Sequence, residues 1–185
     1  MKKIIYILLL VQSFVFAQES RGYVLDGSYY IGHCPHGLYM DTTTFVFPTG
    51  ALPVPIPFTI EDTADQVTFT DDTLINLFFP GIYAITGKFI MTRTAGSAND
   101  AHIFLRDGED NNFAYSGQSL TIENSGVKYN FNYDFTFRVE DTMSIKVMLL
   151  YPNNELRLTP VTSDAVSGRA LSPCSKLFIR KISDL

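Results

Sequence analysis

Between Tyr129 and Val139 every odd position is apolar and every even position is polar. Tyr129, Phe131, Tyr133, Phe135, Phe137 and Val139 alternate with Asn130, Asn132, Asp134, Thr136 and Arg138. A period of two belongs to a β-strand, and strict alternation predicts one buried face and one solvated face, as in an antiparallel sheet. Eleven residues at about 3.3 Å each predict a strand of roughly 36 Å, longer than most. Its row of Phe and Tyr rings faces the opposite sheet in this reading, so this strand is expected to organise the core.

The same punctuation recurs along the chain from Thr59 onward. "QVTFT" ends at Asp71-Asp72, "LINLFF" ends at Pro80-Gly81, and "IYAITGKFIMT" follows. "AHIFLR" runs into Asp107-Gly108, a strong turn dipeptide, and "SLTIEN" into Ser125-Gly126. "MSIKVMLLY", "ELRLTPV" and "KLFIRKI" complete the series. Short strands at near-regular spacing, with no helical period, predict an all-β antiparallel sandwich or barrel. "KVMLLY" departs from alternation, since Val147 to Tyr151 is apolar throughout. A strand covered on both sides needs something outside its sheet. An N-terminal arm or a second subunit would serve, and Val147, Leu149 and Tyr151 are the candidate contacts.

The first 17 residues read as a secretory signal peptide. Lys2 and Lys3 precede an apolar run, and Val15-Phe16-Ala17 forms the small-residue ending. Ile4 to Ala17 is too short for a hydrocarbon core of roughly 30 Å. The expectation is therefore an exported chain, secreted or held at the cell surface or in the periplasm, with no membrane span after cleavage. Residues 18–57 are rich in Gly, Tyr and Pro. Alternate prolines at Pro53, Pro55 and Pro57 suit an extended edge rather than a central strand. This segment is expected to be an arm or linker packed on a main domain spanning 58–185.

Charge and composition narrow the partners. A net charge of −5 repels phosphate backbones, so nucleic acid is not expected. Export would put the two cysteines, Cys34 and Cys174, in an oxidising compartment, where they are expected to form a disulfide. The alternative for "HCPH" is a soft-metal set of His33, Cys34 and His36. A zinc site wants four ligands, and only His102 remains as a further histidine.

"NLFFPGIYAITGKF" resembles a hallmark of the C1q/TNF-like jelly-roll superfamily, carried here by Pro80, Gly81 and Tyr83. "IFLRDG", the long strand after it, and the acidic turn Glu140-Asp141 before another apolar strand are similar too. The family's turn is commonly Gly-Asp, so the Asp matches and the Gly does not. In the closing run, Ser175 and Phe178 match while the family's glycine is missing. The resemblance covers roughly residues 65–182. It implies a ten-stranded, two-sheet jelly roll that associates as a homotrimer, with the sheet of first and last strands facing the threefold axis. The chain carries no Gly-X-Y tract of the collagen-like kind.

Little catalytic chemistry is legible. Three histidines and no Gly-x-Ser-x-Gly elbow give a nucleophilic triad no footing. The acidic pairs read as turn residues. "RDGEDNN" is the one candidate cation site, with Asp107, Glu109 and Asp110 as hard oxygen ligands for Ca²⁺, though the spacing is not that of an EF-hand. No cofactor is otherwise expected. The reading is a non-enzymatic recognition or structural head whose protein or glycan ligand is not specified. Alternatives are a monomeric carbohydrate-binding sandwich, with Tyr29, Tyr30, Tyr39 and Tyr115 as stacking rings in place of the absent Trp, or a phage spike or fibre head.

Overall fold

The computed structural model describes residues 22–25, 28–31, 35–48, 52–152, 154–161 and 172–185, the first two of these as backbone alone. The leader at 1–17, His33 and Cys34 lie outside the described residues, as do the side chains of Tyr29 and Tyr30.

Every regular element among the described residues is a strand. β1 (Gly22–Leu25) and β2 (Ser28–Ile31) pair with each other in a sheet of their own. They are followed by β3 (His36–Asp41), β4 (Phe45–Val46), β5 (Val54–Pro55) and β6 (Ile60–Asp65). Next come β7 (Val67–Thr70), β8 (Leu74–Leu77), β9 (Gly81–Arg93) and β10 (Asn99–Asp107). β11 (Gln118–Ile122), β12 (Lys128–Val139), β13 (Met143–Leu150), β14 (Leu156–Leu158) and β15 (Ser175–Ser183) complete the order. Two antiparallel sheets face each other. The first runs β4-β14-β9-β15-β3-β6 with β12 also on β9, and the second runs β11-β10-β13-β8-β7 with β5 on β13. This is an all-β jelly-roll sandwich.

The alternating strand behaves as its pattern predicts. β12 pairs with β9 from Lys128↔Thr92 to Val139↔Gly81. Phe131, Tyr133, Phe137 and Val139 are buried, Tyr129 and Phe135 pack partly against them, and the even positions are exposed. Phe137 stacks between Phe135 and Tyr83 and takes the edge of Phe113. Each such ring removed from water contributes about 1.5–3 kcal/mol, so this face stabilises the sandwich more than any backbone preference.

Two expectations change. First, the domain boundary at residue 58 falls inside the sandwich, because β3 lies between β15 and β6 and Tyr39, Phe47 and Ile56 are core residues. β3 is hard to see in the sequence because Leu38, Tyr39 and Met40 are consecutive apolar residues and show no alternation. Secondly, Val147, Leu149 and Tyr151 face the interior at 0–1% exposure, so they are core residues rather than subunit contacts. The outward residue Met148 is also buried, flanked in the sheet by its cross-strand neighbours Pro55 of β5 and Phe104 of β10.

The expected Cys34–Cys174 disulfide falls partly outside the described residues, since Cys34 is one of those not described. The Pro35 carbonyl accepts from Lys181 N (2.8 Å), whereas Cys174 N donates to Asp41 O (2.8 Å) at the other end of the β3–β15 pair. Among the described residues Cys174 has no disulfide partner.

The Pro80-Gly81-x-Tyr83 motif has a local cause. Gly81 sits at φ 153°, and an added Cβ would lie 2.2 Å from Lys181 Cε and 2.6 Å from Ser183 O. Tyr83 is fully buried and donates its hydroxyl back to Phe79 O (2.9 Å), closing the bend that starts β9. Gly81→Ala is expected to destabilise the domain by about 1–3 kcal/mol, combining backbone strain with a clash against β15. Urea denaturation would show it; an unchanged midpoint would contradict this account of the motif.

Candidate functional site

The proposed calcium ligands do not converge. Asp107 Oδ1 accepts from Glu109 N (3.0 Å) and Asn111 N (2.8 Å), and Oδ2 accepts from Asn111 Nδ2 (3.0 Å). Those bonds, the Asn111 side chain first, hold the Asp107 carboxyl below its ordinary range. Asp110 turns instead to Lys146 Nζ (2.9 Å). Asp107 and Asp110 are thus engaged with protein groups, and among the described residues no three His, Cys, Asp or Glu side chains are placed to hold a metal. His102 is tied to Ser119 Oγ (2.6 Å) on the neighbouring strand. Of the tyrosines considered as sugar platforms, Tyr39 is a core residue whose hydroxyl donates to Val67 O (2.8 Å). Tyr115 stands 98% exposed, on a backbone with φ 62°.

What remains is surface, and the first sheet offers the more distinctive one. Its inward residues fill the core, so alternation leaves Leu38 and Met40 of β3 and Phe178 of β15 on the solvent side. Leu38 lies directly opposite Phe178, and Met40 lies opposite Lys176 and Ile60. Leu38, Met40 and Phe178 are half-buried, and Ile60 at the edge is 40% exposed. On the next strand, Thr86, Ala84 and Lys88 face Phe178, Arg180 and Lys176. An apolar row thus crosses the middle of a sheet face that no element of the described chain covers.

A cationic pair borders this row. Lys88 and Lys176 are cross-strand partners, and neither has a carboxylate partner among the described residues. Like charges placed directly opposite each other are destabilising, by about 0.2–1 kcal/mol. With Ile90, Ser172 and Pro173 they line a depression of about 230 Å³. The sequence alone does not single these residues out. Each looks ordinary there, and only the β9–β15 register puts the two lysines side by side.

Buried polar groups serve the scaffold. Arg93 is 3% exposed and donates from Nη2 to Glu123 O (2.5 Å), while its own carbonyl accepts from Gly126 N (2.8 Å). It thereby ties the β11–β12 connection to β9. Cys174 Sγ lies 3.2 Å from Asp41 O and 3.0 Å from Thr43 O. Burial first, and the Asp41 carboxylate second, push its thiol from 9.0 up to about 11.

No protein-family profile matches the sequence, and no curated protein is significantly similar to it. Solved structures do match. The Eiger TNF from S. frugiperda superposes with a TM-score of 0.58 at 8% identity, covering 83% of this chain and 96% of that one. The globular domain of zebrafish complement 1qA gives 0.52 at 9% identity, over 83% of this chain and 100% of that one. Murine APRIL gives 0.50 at 8% identity, over 81% and 100%. The chain therefore has a C1q/TNF-like jelly-roll fold, as the Pro-Gly-x-Tyr resemblance implies. No helix of the described residues is long and apolar enough to cross a membrane.

The burial of Cys174 is open to direct measurement. Cys174 should resist Ellman's reagent in the native state and react on unfolding. Because its folded value is raised, stability is fully present below 9.0, where the thiol is neutral in both states. As pH rises above 9.0 the unfolded thiol ionises first, so stability falls through the window from 9.0 to about 11. Rapid labelling of Cys174 in the native chain would contradict its burial.

Proposed function

Taking the C1q/TNF-like jelly-roll fold as premise, we propose that the chain is an exported, non-enzymatic recognition head that assembles as a homotrimer through the solvent face of its first sheet. The observation that carries the reading is the Leu38–Phe178 row with Met40 and Ile60, lying on the sheet that holds β3 and β15. Apolar side chains on a sheet face cost free energy in water, about 25 cal/mol per Å² exposed, and a second copy is the simplest cover. The face also bears unpaired cations while the chain as a whole is acidic, with a net charge of −5, which favours contact with an acidic edge of a neighbour. β6, at the sheet's margin, carries Glu61, Asp62 and Asp65.

The leader pattern at 1–17 supports export, and the fold shared with the Eiger TNF and complement 1qA domains supports a recognition role. The non-enzymatic reading is supported by how the titratable groups are used: Asp107 bonds its own loop, Asp110 pairs with Lys146, and Cys174 is buried.

Sedimentation equilibrium of the mature protein is expected to give three times the chain mass at micromolar concentration. Phe178→Asp should shift it to monomer, while circular dichroism and the melting transition keep a folded sandwich. A wild-type monomer, or a Phe178→Asp trimer, would rule the assembly out.

A further inference from the structure

The second sheet carries a different kind of surface. On its solvent side, Phe104 of β10 pairs with Met148 of β13, and Arg106 pairs with Lys146. A groove of about 380 Å³ opens over Phe104. Pro53 of the arm and Leu150 of β13 line one part of it, and Phe113 and Gly117 of the β10–β11 connection line another. That is room for one or two amino-acid residues, at the small end of ligand pockets.

The one charged group that lines the groove among the described residues is oriented in advance. The Arg106 guanidinium carbon stands 5.5 Å above the Phe104 ring centroid, and Nε donates to Asn112 Oδ1 (2.8 Å). Stacking and one hydrogen bond hold the plane of the guanidinium and leave its two Nη groups without partners among the described residues. Neighbouring charges are already engaged: Lys146 pairs with Asp110, and Asp107 bonds Asn111. No carboxylate of the described residues lines the groove. The Asn112 amide, with its oxygen on Arg106, keeps its Nδ2 to donate.

The wall is rigid as well. Ser116 Oγ accepts from Leu105 N (3.0 Å) and donates to Phe113 O (2.9 Å), while Ser116 O accepts from the Tyr133 hydroxyl (2.9 Å). Phe113 is set edge-on to Phe137 of the core at 5.3 Å. Little ordering is left for a ligand to induce, which favours binding. These bonds also occupy the hydroxyl, so the free side-chain polar groups of the groove are donors. A sugar, whose hydroxyls need acceptors as well, is poorly served by that set.

We propose that this groove binds the C-terminal end of a peptide whose last residue is apolar. The terminal carboxylate takes the free Nη groups of Arg106 in a two-point contact, which guanidinium geometry suits and an ammonium does not. Asn112 Nδ2 donates to the same carboxylate or to the preceding carbonyl. The last side chain lies over Phe104 between Pro53 and Leu150. The groove is on the sheet opposite the proposed assembly face, so the proposal stands or falls independently of oligomeric state.

The test uses fluorescence anisotropy with the full mature protein and fluorescein-labelled hexapeptides of polar sequence ending in Leu, Phe or Glu as free acids, and in Leu as the amide. Peptides ending in Leu or Phe should saturate the protein, with the amide and the Glu-ended peptide roughly tenfold weaker or worse, as loss of a charged hydrogen bond implies. In Arg106→Gln the acid and amide should bind alike, and Arg106→Lys should recover only part of the difference. Both variants should melt with wild type, since Arg106 makes no ion pair among the described residues. Equal affinity for acid and amide in wild type would overturn the proposal. So would an unaltered preference in Arg106→Gln, or no binding up to about 1 mM peptide. Arg106-dependent binding of a uronate probe alone would overturn it too, replacing the peptide with an acidic glycan.

Discussion

The pairing of β9 with β12 is the constraint on which the rest of the molecule depends. The two strands run antiparallel from Gly81↔Val139 to Thr92↔Lys128, and alternate residues of each enter the core. A slip of one residue would turn Phe131, Tyr133 and Phe137 to water and their polar neighbours inward, so the register is strongly specified. Gly81 sets one end, where the backbone bends close under Lys181 and Ser183. β15 then takes the other edge of β9 and brings β3 beside it. The meeting of Leu38 with Phe178, and of Lys88 with Lys176, is a consequence of that register and of nothing local.

The two outer faces of the sandwich consequently differ in chemistry. The first sheet presents a broad, half-buried apolar row with unpaired lysines beside it, which is the composition of a contact between large surfaces. The second presents a narrow groove whose single guanidinium is stacked and hydrogen-bonded in place, which is the composition of a site for a small anionic end group. The proposed assembly through one face and the proposed recognition through the other do not compete for the same residues. Stability and function are likewise separated. Tyr83, Tyr133 and Phe137 hold the sheets together, while Arg106 and Phe178 contribute little to that and stand where a partner can reach them.

Legibility in the sequence follows the physics of alternation. β12 can be read almost to the residue, since one of its faces is wet and the other dry. The Pro80-Gly81-x-Tyr83 resemblance leads to the right fold because it records a backbone constraint. β3 is hidden, since Leu38 to Met40 are apolar on both faces, one side for the core and the other for the sheet's outer row. Val147, Leu149 and Tyr151 mislead for a related reason: an apolar run says that both faces are covered, and it does not say by what. Asp107, Glu109 and Asp110 look like ligands because acidic loop residues and cation ligands share a composition; hydrogen-bond geometry separates them. Arg106 and the lysine pair have no sequence signal at all, since their significance lies in what stands across the strand from them.

The central claim is that the Leu38–Phe178 face is covered by sister copies. Hydroxyl-radical footprinting read by mass spectrometry addresses it within one experiment, because Met40 and Phe178 lie on that face and Tyr115, 98% exposed, lies away from it. The account predicts rapid modification of Tyr115 at all concentrations. Met40 and Phe178 should be protected at micromolar protein and modified on dilution, and Met40 should lose its protection in the Phe178→Asp variant. Rapid oxidation of Met40 and Phe178 at every concentration, in step with Tyr115, would contradict it.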